Sequence, residues 1–87
     1  MPVTEEEFKE FCSTLTAELK NVMSQEEQLK AYGLYKQAME GDVQEARPGM
    51  LYLTAKAKWD ARDKVRGMSQ EDAREKYIEL VKPFLPS

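Results

Sequence analysis

The stretch SQEEQLKAYGLYKQAMEGD, residues 24–42, decides the fold. Ser24 with Glu27 three positions on is a capping-box pair, and Gly41-Asp42 is a stop signal, so a helix from Ser24 to about Glu40 is framed at both ends. Within it Ala31, Leu34, Tyr35 and Ala38 recur at three- and four-residue steps and make an apolar stripe. A second stripe lies beside it and shares Tyr35. Tyr32, Tyr35, Lys36 and Met39 fall at i, i+3, i+4 and i+7, hence on one face. Two phenols, an ammonium and a thioether are too polar together for a plain core and too aromatic for a plain solvated surface.

The same signals recur on either side. Thr4 with Glu7 opens a first helix in which Phe8, Phe11, Cys12, Leu15 and Leu19 share a face, with Asn21 just past its end. After Gly41, residues 41–50 show no period and contain Arg47-Pro48-Gly49, a loop signal; that connection is long enough to cross a bundle. A third helix is expected from about Leu51 to Arg66. Leu51, Ala55 and Trp59 line one side, Ala57, Ala61 and Val65 a second strip, and Gly67 closes it. A fourth starts at Ser69 and buries Ala73, Tyr77, Leu80, Val81 and Phe84, with Pro83 and Pro86 limiting its extension. No strand-like alternation competes. The fold class is all-α, a four-helix bundle with a long crossover loop between helices two and three.

Composition narrows the function. A chain of 87 residues builds one domain with one modest core. The net charge is −3, and a protein held by nucleic-acid phosphates is usually basic, so no nucleic acid is expected as partner. The charge is uneven: residues 31–68 carry seven bases against five acids, while both flanks are acidic. The unusual stripe lies in the one positive region. Cys12 is the only cysteine, which excludes an internal disulfide and fits a reducing compartment. The N-terminal residues carry no secretory signal pattern, neither end has a lipidation motif, and no apolar run approaches the ~18 residues of a spanning helix. The chain reads as soluble, cytoplasmic and monomeric, with no integral membrane segment and room only for transient membrane contact.

Catalysis has little to work with. There is no histidine to serve as a base near neutral pH, no histidine–cysteine cluster for a metal, and no glycine-rich phosphate loop. Cys12 sits on an apolar stripe, where a buried inert thiol is the simpler reading. Lys56, Lys58, Arg62, Lys64 and Arg66 form a basic run opposed only by Asp60 and Asp63, which by itself describes a solvated helix. Lys36 points elsewhere, because beside two tyrosines a lysine is not needed for solubility. Tyrosine rings stack on flat heterocycles and lysine is a mobile point charge suited to phosphate, so the combination suits a ligand like a nucleotide with more than one phosphate. A helical protein-interaction module that docks a partner through the Tyr/Lys/Trp surface is the alternative.

YGLYKQAMEGD at 32–42, RPGM at 47–50, KAKWDAR at 56–62 and the spacing from there to Tyr77 together resemble the acyl-CoA-binding protein family. The resemblance covers about residues 22–82 well and the first helix loosely. It implies an up-down-down-up four-helix bundle and a non-enzymatic carrier of medium- to long-chain fatty acyl-CoA, with no cofactor besides that ligand. By position it implies that Tyr32, Lys36, Lys58 and Tyr77 hold the CoA head, including its ribose 3′-phosphate, and that Tyr35 flanks the adenine. Gly33 and Leu34, in the same motif, are expected among the acyl-CoA-binding residues. The acyl tail would lie in a groove formed largely by helices two and three, with Gln28, Leu29, Ala31 and Ala57 as its walls. The chain departs from the family's pattern at Met23, where a proline is usual, at Gln28 and Ala31, where bulkier apolar residues are usual, and at Thr54, where many members have lysine.

Overall fold

The computed structural model describes residues 3–13 and 22–84. They form four α-helices: α1 (Glu5–Ser13), α2 (Gln25–Glu40), α3 (Leu53–Asp63) and α4 (Gln70–Val81), followed by a 3-10 turn, Lys82–Phe84. No strand occurs among the described residues. Leu15, Leu19 and Asn21, expected in or just beyond the first helix, lie outside the described residues.

Three helices begin as their sequences dictate. Ser24 Oγ accepts the Glu27 amide at 3.1 Å while Glu27 Oε1 accepts the Ser24 amide at 2.9 Å, a complete capping box. Thr4 and Glu7 make the same exchange at the start of α1. Ser69 Oγ accepts the Asp72 amide at 3.0 Å. Each cap satisfies amides that the first helical turn leaves without partners.

The third helix is shorter than its periodicity suggests. Its N-cap is Tyr52, which offers no capping side chain; the Tyr52 amide instead closes a turn onto the Gly49 carbonyl at 3.0 Å. The helix therefore starts at Leu53 rather than Leu51. At the other end the Val65, Arg66 and Met68 amides bond to carbonyls three residues back, so the chain tightens into turns after Asp63 and leaves through Gly67 at φ 90°. The expected Leu51/Ala55/Trp59 face is not a core face. Leu51 and Ala55 are exposed, and Trp59 is half-buried, donating its indole N–H to the Glu45 carbonyl at 2.7 Å. Packing falls to the other strip, through Ala61 and half-buried Ala57 and Val65.

Helix α2 is the hub and packs against both α3 and α4. Gly33 lies against the Ala61 backbone and Tyr32 beneath Lys58, while Leu29 and Ala57 share a groove one turn earlier, so α2 and α3 run parallel. Gln70 reaches the Ala38 carbonyl at 3.2 Å, and Tyr77 sits beside Tyr35, so α4 runs antiparallel to α2. Phe8 stacks on Tyr35 and Cys12 lies toward Met23, which makes α1 antiparallel to α2 as well. The sequence of directions is up-down-down-up. The core joins Phe8, Cys12, Met23, Ala31, Leu34, Ala38, Ala73, Tyr77 and Val81.

A parallel helix pair needs a long connection, and residues 41–52 are anchored where they cross. Asp42 Oδ1 accepts the Gln37 amide group and the Gly67 N–H, both at 2.8 Å. Arg47 makes a two-point pair with Asp60 at 2.9 and 3.0 Å, and Arg66 donates to the Val43 carbonyl at 3.2 Å. Arg62, expected on a solvated face, is instead buried, with Glu45 at 3.4 Å and Glu40 at 3.9 Å.

Candidate ligand-binding site

A helix turns 100° per residue, so a single helix shows different residues to its two sides. On one side of α2, Gln28, Ala31, Tyr32, Tyr35 and Met39 line a cavity of about 620 Å³ closed by Cys12 of α1 and Tyr77 of α4. On the other side, Leu29 and Leu34 face a groove of about 660 Å³ shared with Ala57 and Ala61 of α3, Val65 in the turns that follow it, and Leu80 of α4. Both volumes are of the size that holds small-molecule ligands.

The structure brings three expected tyrosines together. Tyr35 and Tyr77 have ring centroids 6.1 Å apart, and Phe8 packs under both, stacked on Tyr35 at 5.9 Å and edge-on to Tyr77 at 5.2 Å. The rings are held by the core, so their positions need no ordering by a ligand. Tyr32 stands at the rim toward α3, where Lys58 Nζ lies 5.4 Å from its ring centroid, within cation–π range. Lys36 is on the same α2 face but is engaged: its ammonium donates to Glu40 Oε2 at 2.8 Å.

The four expected groove residues do not form one wall. Gln28 and Ala31 face the tyrosine cavity, whereas Leu29 and Ala57 face the second groove, because positions 28 and 31 diverge by helical rotation from 29. Gln28 also turns its amide away from the role of a polar wall, donating to the Met23 carbonyl at 2.9 Å. Leu34 is buried at the base of the second groove. Gly33 lines neither cavity; it lies where α2 and α3 cross. Sequence reasoning missed Glu40 as the partner of Lys36, although the i, i+4 spacing was its signal.

Electrostatics keeps Lys36 charged and the Tyr77 hydroxyl neutral. The Glu40 hydrogen bond pushes the Lys36 ammonium above its ordinary value, with the nearby Tyr32 phenol adding to the effect. Burial, then the neighbouring Cys12 thiol, pushes the Tyr77 phenol far up, so it stays a hydroxyl that donates. Burial also pushes the Cys12 thiol up, against a smaller opposing contribution from Tyr77. A thiol so placed is a poor nucleophile. Alkylation of Cys12 at neutral pH is therefore expected to run at least ten-fold slower than that of a free thiol and to accelerate on moving to alkaline pH; a rate equal to glutathione's, measured by iodoacetamide mass shift, would show the thiol to be open. Among the described residues no cluster of His, Cys, Asp or Glu is arranged to hold a metal. No helix of the described residues is long and apolar enough to cross a membrane.

A tyrosine-walled cavity with Lys58 over the Tyr32 ring, on a bundle with one parallel helix pair, is a specific combination. The sequence profile described as acyl CoA binding protein matches residues 5–81, a span that holds all four helices. The chain belongs to the acyl-CoA-binding protein family. Acyl-CoA-binding domain-containing protein 2 of Oryza sativa subsp. japonica is 44% identical over 81 residues, covering 93% of this chain and 88% of that one. The crystal structure of Oryza sativa acyl-CoA-binding protein 2 superposes with a TM-score of 0.84 at 42% identity, over 92% of this chain and 86% of that one. The structure of the acyl-CoA-binding protein from Moniliophthora perniciosa gives a TM-score of 0.81 at 37% identity, over 97% and 82% of the two chains.

Proposed function

We propose that the whole chain, residues 1–87, acts as a single acyl-CoA-binding domain, a monomeric, non-enzymatic cytoplasmic carrier that holds and buffers medium- to long-chain fatty acyl-CoA esters. The observation that carries this reading is the convergence of Tyr32, Tyr35 and Tyr77 on one cavity, with Lys58 over the Tyr32 ring and Lys36 one helical turn from Tyr32 on α2. Aromatic faces suit the adenine, the ammonium groups and the neutral Tyr77 hydroxyl suit phosphate, and Tyr35 flanks the base. The tail lies along the α2/α3 seam at Leu29 and Ala57, with Gln28 and Ala31 bordering the head cavity. The absence of histidine and the unreactive setting of Cys12 favour binding without turnover.

Magnitudes explain why such a site would select the intact ester. Burying hydrocarbon is worth ~0.8 kcal/mol per methylene, so ten sheltered methylenes give about 8 kcal/mol. Each charge-assisted phosphate contact adds roughly 1.5–3 kcal/mol. Association itself costs on the order of 4–15 kcal/mol. Head and tail must both be held, and either half alone binds weakly. Calorimetric titration with esters from octanoyl- to stearoyl-CoA is expected to show sub-micromolar binding that weakens as salt rises, with free CoA and free fatty acid both weak. No heat with any ester would overturn the carrier reading and turn attention to a protein partner.

A further inference from the structure

We propose that residues 50–53 dock the protein onto the surface of an anionic lipid bilayer. Met50, Leu51, Tyr52 and Leu53 are 80, 93, 66 and 74% exposed, four consecutive large apolar side chains in a chain whose other aromatics are all buried or half-buried. They stand at the turn that enters α3 and line neither cavity. An exposed cluster of this kind marks an interaction surface.

Charge selects the partner. No acid lies between Glu45 and Asp60, whereas Arg47, Lys56 and Lys58 fall in that interval, in a molecule whose net charge is −3. Arg47 is committed to Asp60, but Lys56 follows Tyr52 by one helical turn on the same side of α3, placed to let its ammonium meet a headgroup while the apolar tip enters below it. A tyrosine at the boundary between tip and base is suited to the interfacial layer. A protein interface of ordinary size needs about 800 Å² from each partner with matched shape, more than a four-residue convex tip supplies.

The tip is also continuous with the candidate ligand site. Leu53 and Ala57 are one turn apart on α3, and Ala57 lines the groove beside α2. Docked this way, an acyl chain passes from bilayer to groove with little exposure to water. That loading role rests on the acyl-CoA reading above; the docking does not.

The test is co-sedimentation with phosphatidylcholine vesicles, with and without phosphatidylserine, for the wild type and for the double variant Met50→Ser/Leu51→Ser, whose altered side chains hold nothing in the fold. The wild type is expected to partition onto the phosphatidylserine vesicles and less onto phosphatidylcholine alone, and the double variant to partition about ten-fold less or weaker still, with an unchanged melt and an unchanged titration by soluble octanoyl-CoA. Failure of the wild type to bind phosphatidylserine vesicles, or equal binding by the variant, overturns the proposal. Self-association or retention of a protein through these residues, with vesicles ignored, overturns it in favour of a protein interface. Vesicle binding lost in the variant while no ester binds in solution sustains the docking and removes the acyl-CoA reading.

Discussion

Replacing Gly33 by alanine is expected to lower the melting temperature by about 10 °C, against the usual direction for a glycine inside a helix. In an open helix the change gains about 1 kcal/mol of propensity. Here a Cβ at position 33 would lie 2.8 Å from the Ala61 carbonyl carbon and closer still to its oxygen. Both obstructing atoms are backbone, so no side chain can swing aside, and α2 and α3 must separate along their parallel contact. Overpacking of that kind costs roughly 1–3 kcal/mol and more where nothing yields, which leaves a net loss near 2 kcal/mol. Gly49→Ala is the control: nothing lies within 4 Å of a Cβ there and its φ is not positive, so the melt should hardly move. Because the same contact sets Lys58 over Tyr32, Gly33→Ala should also weaken ester binding in the protein that remains folded. A melting temperature equal to or above the wild type's would show that α2 and α3 do not meet at this glycine.

Gly33 also shows where sequence reading stops. Its place in the motif was legible, but its role was not, since periodicity gives the face of a residue and not how close the next backbone comes. Helix starts were legible because Thr4, Ser24 and Ser69 carry the oxygen that the first turn needs. The start of α3 was not, because Tyr52 brings no cap and the Gly49 turn delays the first helical bond. The apolar spacing of Leu51, Ala55 and Trp59 mimicked a core stripe, yet the loop, not another helix, meets Trp59, and Leu51 meets nothing. At the site, the tyrosines were legible as a set because one helical face carries two of them. That Gln28 and Leu29 belong to opposite concavities was hidden by treating a groove as a stretch of chain rather than as a face.

Lys36→Ala is expected to weaken ester binding by about ten-fold or more, the equivalent of one charge-assisted phosphate contact, while leaving the melting temperature in place. The stability side follows from geometry. The Lys36–Glu40 pair is an i, i+4 contact with both side chains partly in water, and pairs of that kind contribute only a few tenths of a kcal/mol. The binding side has a consequence of its own. In the ligand-free protein the ammonium that would meet phosphate is already held by a carboxylate at 2.8 Å, so a phosphate must displace Glu40 before it gains Lys36. Glu40→Gln keeps the size and an acceptor oxygen but removes the competing charge, and it should strengthen binding several-fold. In the double variant Lys36→Ala/Glu40→Gln most of that gain should vanish, since there is no ammonium left to release; what persists measures the general repulsion between Glu40 and the ligand's phosphates. Calorimetry on the four proteins closes the cycle. An affinity unchanged by Lys36→Ala would take Lys36 out of the site. A Glu40→Gln gain of the same size with and without Lys36 would leave Lys36 in place but show that Glu40 acts on the ligand directly and not by holding the lysine.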